Sequence, residues 1–133
     1  MSKGKKIKVL MAKCGLDGHE RGAEIVTQGL KEEGMEVFYS GLRRSPEEIA
    51  EIAQKKGVDV IGLSSLAGAH NSLLPTVVEL VRQRGMEKVL IIAGGLIPEE
   101  DIPVLKEKGV SAVFGPGTSI GQIAEYIRKN VKE

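Results

Sequence analysis

The chain has no tryptophan, two phenylalanines and two tyrosines. With aromatics at 3% it lacks the rings on which single-strand nucleic-acid binders stack bases, and nearly lacks the rings that sandwich a flavin. Cysteine is just as scarce. Cys14 stands alone, so an internal disulfide is excluded, which agrees with a reducing compartment. Charge of one sign is missing: the net charge is +1, too little to build a field that gathers nucleic acid or an anionic membrane. No continuous apolar core follows the N-terminal lysines, so no secretory signal is read there. The longest stretch without Asp, Glu, Lys or Arg, from Val60 to Val78, approaches transmembrane length. Ser64, Ser65, His70, Asn71, Ser72 and Pro75 interrupt it, so it reads as a buried strand, a functional loop and a helix start. A cytoplasmic protein with no membrane and no nucleic-acid partner is the expectation.

What is present is an ordinary globular balance, 41% hydrophobic and 28% charged over 133 residues, enough for one domain spanning 1–133. Residues 1–6, with Lys3, Lys5 and Lys6, read as a flexible basic N-terminus. Apolar and amphipathic runs then alternate five times. The strands are expected at Ile7–Ala12, Glu36–Ser40, Val58–Ser64, Lys88–Ala93 and Val110–Phe114. The third and fourth are almost continuously apolar, as parallel strands covered on both faces are. Ser45-Pro46-Glu47-Glu48 carries the signature of a capping box with proline in the first turn, and Gly57 follows as a helix stop. Ile49, Ile52 and Ala53 form its inner stripe. Leu74, Val77, Val78 and Val81 mark another helix, and Ile120, Ile123, Ala124, Ile127 and Val131 a last one. Alternation with short connections predicts a single doubly wound α/β domain, flavodoxin-like (Rossmann-like), with a five-stranded parallel sheet in the order 2-1-3-4-5.

In such sheets ligands bind beyond the carboxyl ends of the strands, beside the switch point between strands 1 and 3. Four glycine- or serine-bearing segments fall at those ends: Asp17 to Gly22, Ser64 to His70, Gly94-Gly95 and Gly115 to Thr118. The first also holds His19, with Asp17 two residues upstream. An imidazole there can bind a metal through one nitrogen while the other donates to a carboxylate, which fixes the tautomer and raises the basicity of the ligating atom.

Asp17-x-His19-x-x-Gly22 resembles the D-x-H-x-x-G signature of the cobalamin-binding domain of adenosylcobalamin-dependent mutases. Ser64-Ser65-Leu66 resembles the S-x-L motif of that family, and Gly94-Gly95 its paired glycines, in the same order along the chain. The likeness runs from about Ile7 to Arg128, and the wording GLDGHERGA, GGLIPEEDIPVLKEKGV and FGPGT is most similar to the methylmalonyl-CoA mutase branch.

The resemblance implies that His19 ligates the cobalt of adenosylcobalamin in place of the cofactor's own dimethylbenzimidazole, the base-off/His-on mode. Asp17 would accept the other imidazole N–H, and Lys13 would pair with Asp17. These three are the candidate catalytic residues. The displaced nucleotide tail would lie between the sheet and the first and last helices. Gly15, Leu16, Gly18 and Gly22 would shape the first loop, Ser64 would hydrogen-bond the displaced base, and Leu66 would pack on corrin or tail. Gly94 and Gly95 would make room, and Gly115, Gly117 and Thr118 would line the mouth, where backbone N–H groups at a helix start could hold phosphate. His70 could contact corrin, touch a partner or cap its helix. Cys14 reads as a small packed side chain.

The implied function is that of the cobalamin-binding small subunit of a heteromeric methylmalonyl-CoA mutase. That isomerase interconverts (R)-methylmalonyl-CoA and succinyl-CoA by radical rearrangement. A (β/α)₈ barrel for the acyl-CoA needs about 250 residues, so a large partner subunit is expected, and no turnover without it. Two alternatives remain: a subunit of a related mutase acting on isobutyryl-CoA or ethylmalonyl-CoA, and a corrinoid carrier for methyl transfer. A signal-receiver domain of the same fold would need an acid at the end of strand 3, where this chain has Leu63-Ser64-Ser65.

Overall fold

The computed structural model describes residues 7–13, 21–39, 45–65, 70–95, 99–114 and 118–131. Five strands and five α-helices alternate: β1 (Lys8–Lys13), α1 (Arg21–Glu32), β2 (Glu36–Tyr39), α2 (Pro46–Lys56), β3 (Val60–Ser65), α3 (His70–Gln83), β4 (Leu90–Gly95), α4 (Ile102–Glu107), β5 (Ala112–Phe114) and α5 (Ile120–Asn130). A 3₁₀ turn at Glu99–Asp101 leads into α4. All strand pairs are parallel, and the sheet order is β2-β1-β3-β4-β5, as the alternation predicts. The direction of winding reverses between β1 and β3.

Alternation along each strand divides the core into two layers. On one face Leu10, Ala12, Ile61, Leu63, Ile91 and Ala93 pack with Ile49, Ala50 and Ala53 of α2, with Leu74, Val77, Val78 and Val81 of α3, and with Leu105 of α4. On the other face Val9, Met11, Val60 and Ile92 pack with Leu30 of α1 and Ile123, Ala124 and Ile127 of α5. The expected inner stripes are thus in place, with Ile52, Ile120 and Val131 at their margins, partly buried against the same clusters.

The helix boundaries have local causes. The Ser45 hydroxyl accepts the Glu48 N–H at 3.1 Å while the Glu48 carboxylate accepts the Ser45 N–H at 2.9 Å, closing the box read from the sequence. A second box, Ser119 with Gln122, opens α5. At the other ends, α1 to α4 all stop in one way. Gly34, Gly57, Gly85 and Gly109 take positive φ, and the apolar residue after each donates its N–H to the carbonyl five residues back: Met35 to Leu30, Val58 to Ala53, Met86 to Val81 and Val110 to Leu105. This is the Schellman closure. It explains why β3 and β5 start two residues later than the apolar runs suggest. Val58 and Val110 are buried because they finish helices, and the ladder begins only after them. Likewise β4 begins at Leu90, and β3 and β4 continue to Ser65 and Gly95, which pair with each other.

Candidate functional site

The carboxyl edge of the sheet carries one row of residues in register. Lys13 lies beside Ser64, Ser64 beside Gly94, and Gly94 beside Phe114. The row below it is Met11, Gly62, Ile92 and Ala112. Met11 and Ile92 belong to the layer beneath α1 and α5, and Ala112 and Phe114 pack against the same layer. The row is narrow in its middle. Among the described residues, a Cβ added to Gly94 would find one atom within 4 Å, the carbonyl oxygen of Phe114 at 3.4 Å, and no side chain. Gly62 is filled differently: the thioether of Met11 lies over it, 2.6 Å from where a Cβ would stand. Gly95 is one position further, in register with Ser65.

Phe114 ends the row. Its ring meets Tyr126 edge to face, with centroids 5.5 Å apart, and the Tyr126 hydroxyl pairs with Ser111. This pair forms an apolar wall between β5 and α5. The roof is set by helix contact. A Cβ at Gly29 would stand 2.6 Å from Ile120 Cγ2, so α1 and α5 touch there backbone to side chain. Ile120 is the first residue of α5. Both helices run towards the amino edge, where Arg128 of α5 bonds the carbonyl and carboxylate of Glu33 beyond the end of α1. The turns of α1 before Gly29 therefore reach past the start of α5, towards the carboxyl edge. Thr118, half-buried, sits just before the Ser119 cap of α5. That cap uses the Ser119 and Gln122 N–H groups internally.

On the sheet-facing stripe of α1, one turn before Leu30, lies Thr27. It is 8% exposed, and its hydroxyl has no hydrogen-bond partner among the described residues.

Of the residues singled out in the sequence, Lys13, Gly22, Ser64, Gly94, Gly95 and Thr118 fall at this edge of the sheet. His70 begins α3. Cys14, Gly15, Leu16, Asp17, Gly18, His19, Leu66, Gly115, Gly117 and the basic segment 1–6 lie outside the described residues. Sequence reasoning missed Thr27, the Phe114–Tyr126 wall and the Met11 side chain over Gly62. Thr27 carries a faint signal, being a polar residue in phase with the apolar Leu30 of the same helix.

Fold and edge together define a doubly wound α/β domain of the ligand-binding kind, with Ser64 and Gly94 side by side at the carboxyl edge, next to the switch point. Comparison makes this specific. A family model described as "B12 binding domain" matches residues 7–124. The chain belongs to that family, and so is a cobalamin-binding domain. It is 42% identical over 125 residues to the 2-hydroxyisobutanoyl-CoA mutase small subunit of Aquincola tertiaricarbonis, covering 94% of this chain and 92% of that subunit. It is 44% identical over 124 residues to the methylmalonyl-CoA mutase of Rhizobium meliloti (strain 1021), 93% of this chain and 17% of that protein. The chain thus spans about a sixth of the length of several relatives named methylmalonyl-CoA mutase. Among solved structures, a cobalamin-binding protein from Desulfitobacterium hafniense superposes with a TM-score of 0.82 at 20% identity, over 96% of this chain and 60% of that one, which supports the fold.

The residues present suit a cobalamin. Gly94, with no described side chain near its Cβ position, Ser64 beside it in register, and the unpaired hydroxyl of Thr27 fit a bulky group rich in polar atoms inserted from the carboxyl edge.

Proposed function

We propose that the chain is the cobalamin-binding component of an acyl-CoA mutase of the methylmalonyl-CoA type. The observation that carries this reading is the match, over nearly all of both chains, to a separate mutase small subunit. When bound, adenosylcobalamin supplies homolytic radical chemistry for the 1,2-rearrangement, and the protein supplies ligation, orientation and exclusion of side reactions. His19 would ligate the cobalt, with Asp17 accepting its second N–H and Lys13 pairing with Asp17. Ser64, Leu66, Gly94, Gly95 and Thr118 would house the nucleotide tail, together with Gly15, Leu16, Gly18, Gly22, Gly115 and Gly117. A large subunit bearing the acyl-CoA site would cover the cofactor's upper face. It is the expected partner, and turnover requires it.

A second reading has the same site serve a different acyl-CoA, because the relative matched over nearly its full length is named for 2-hydroxyisobutanoyl-CoA. The two differ in the large subunit and not in this chain.

The test is the visible spectrum of the purified chain after mixing with adenosylcobalamin and filtration, beside His19→Ala. The expected result is retained cofactor with a six-coordinate spectrum in the wild type and a base-off spectrum, or weak retention, in the variant. Identical spectra would remove His19 from the cobalt. Adding a large mutase chain and offering methylmalonyl-CoA or 2-hydroxyisobutanoyl-CoA then separates the two substrate readings.

A further inference from the structure

Buried hydroxyls are almost always paired, because an unpaired one keeps the cost of its lost hydration. A threonine inside a helix has an easy remedy, donating to the carbonyl one turn back. Thr27 takes neither that bond nor any other among the described residues, although more than nine-tenths of it is buried. Its place is informative. It lies on the sheet side of α1, in the turns that reach past the Gly29–Ile120 contact and so past the start of α5. On the same face, at the carboxyl edge, lies Gly94, where a Cβ would find among the described residues only the Phe114 carbonyl oxygen within 4 Å. An unpaired donor and a position that no described side chain fills thus share one face of the sheet.

We infer that Thr27 is a positioning residue for the bound cofactor, donating its hydroxyl proton to an acceptor of the nucleotide tail, a phosphate, ribose or base atom, when the tail is seated under α1. This rests on the cobalamin reading above and adds to it a contact from the roof of the cleft. In the free protein the hydroxyl is a liability, and in the complex it is satisfied. Its effects on folding and on binding should therefore have opposite signs.

Thr27→Val tests this, because valine keeps the β-branched shape and puts a methyl where the hydroxyl stood. The free chain should gain stability, with a melting temperature higher by about 3–5 °C. Affinity for adenosylcobalamin should fall roughly five- to tenfold, the scale of one lost hydrogen bond. Affinity for adenosylcobinamide, which has the corrin ring but no nucleotide, should not change. Thr27→Ser, which retains the hydroxyl, should bind adenosylcobalamin within about twofold of the wild type, a difference well below one hydrogen bond. A less stable Thr27→Val chain, an equal loss for both corrinoids, or no loss for either would each overturn the assignment. A wild-type chain that binds neither corrinoid would overturn the cobalamin reading itself. A wild type that binds adenosylcobalamin as tightly as Thr27→Val does would remove Thr27 alone.

Discussion

Gly29→Ala should destabilise the protein, against the usual rule for helices. In an open helix the change gains about 1 kcal/mol, since alanine loses less backbone freedom than glycine. Here the new methyl would stand 2.6 Å from Ile120 Cγ2, 3.0 Å from Cγ1 and 3.1 Å from Cδ1. Three atoms of one side chain are too close, so a single methyl rotation cannot clear it, and a β-branched residue in a helix has one strongly preferred χ1. The helices must move apart or Ile120 must leave its rotamer, an overpacking cost of about 1–3 kcal/mol. The sum is a net loss of about 1 kcal/mol, or about 3–5 °C in melting temperature for a chain of this size. Urea unfolding of four proteins checks it: wild type, Gly29→Ala, Ile120→Ala and the double variant. With Ile120 truncated the clash disappears, so Gly29→Ala should then stabilise by about 1 kcal/mol, giving a coupling of roughly 2 kcal/mol. If Gly29→Ala stabilises the wild-type background, the helices do not touch as described, and the overhang of α1 beyond α5 goes with that contact.

Two further outcomes follow from the same edge of the sheet. Ser119→Ala removes the hydroxyl that accepts the Gln122 N–H, leaving only the reciprocal bond from the residue 119 backbone N–H, and should cost about 1 kcal/mol in urea unfolding; an unchanged midpoint would mean that the hydroxyl's half of the box contributes nothing. Gly94→Val should leave stability within about 1 kcal/mol, because its Cβ meets the Phe114 carbonyl at an ordinary 3.4 Å, yet it should abolish retention of adenosylcobalamin on filtration. Normal retention would place the tail elsewhere.

The sheet was legible in the sequence because a parallel strand buried on both faces leaves an unmistakable apolar run, and Val60–Leu63 and Leu90–Ala93 are such runs. Its starting points were less so, since Val58 and Val110 are equally apolar for another reason, the closing of helices. Hydropathy reports burial and cannot tell a ladder from a helix stop. Candidate residues at the carboxyl edge could be named from spacing and resemblance, but the row that joins Lys13, Ser64, Gly94 and Phe114 is a matter of register between strands distant in sequence. Thr27 was hidden for the opposite reason. Beside Gln28 it reads as one more polar residue facing water, and only three-dimensional burial sets it apart.

The four glycine turns that end α1 to α4 all lie at the amino edge and depend on nothing but a local pattern, glycine followed by methionine or valine. Each is complete within its own helix. The turns at the amino edge therefore ask nothing of residues at the opposite edge. A scaffold arranged in this way can exchange one cargo for another by rewriting a single rim, while the turns at the far rim keep the strands in order.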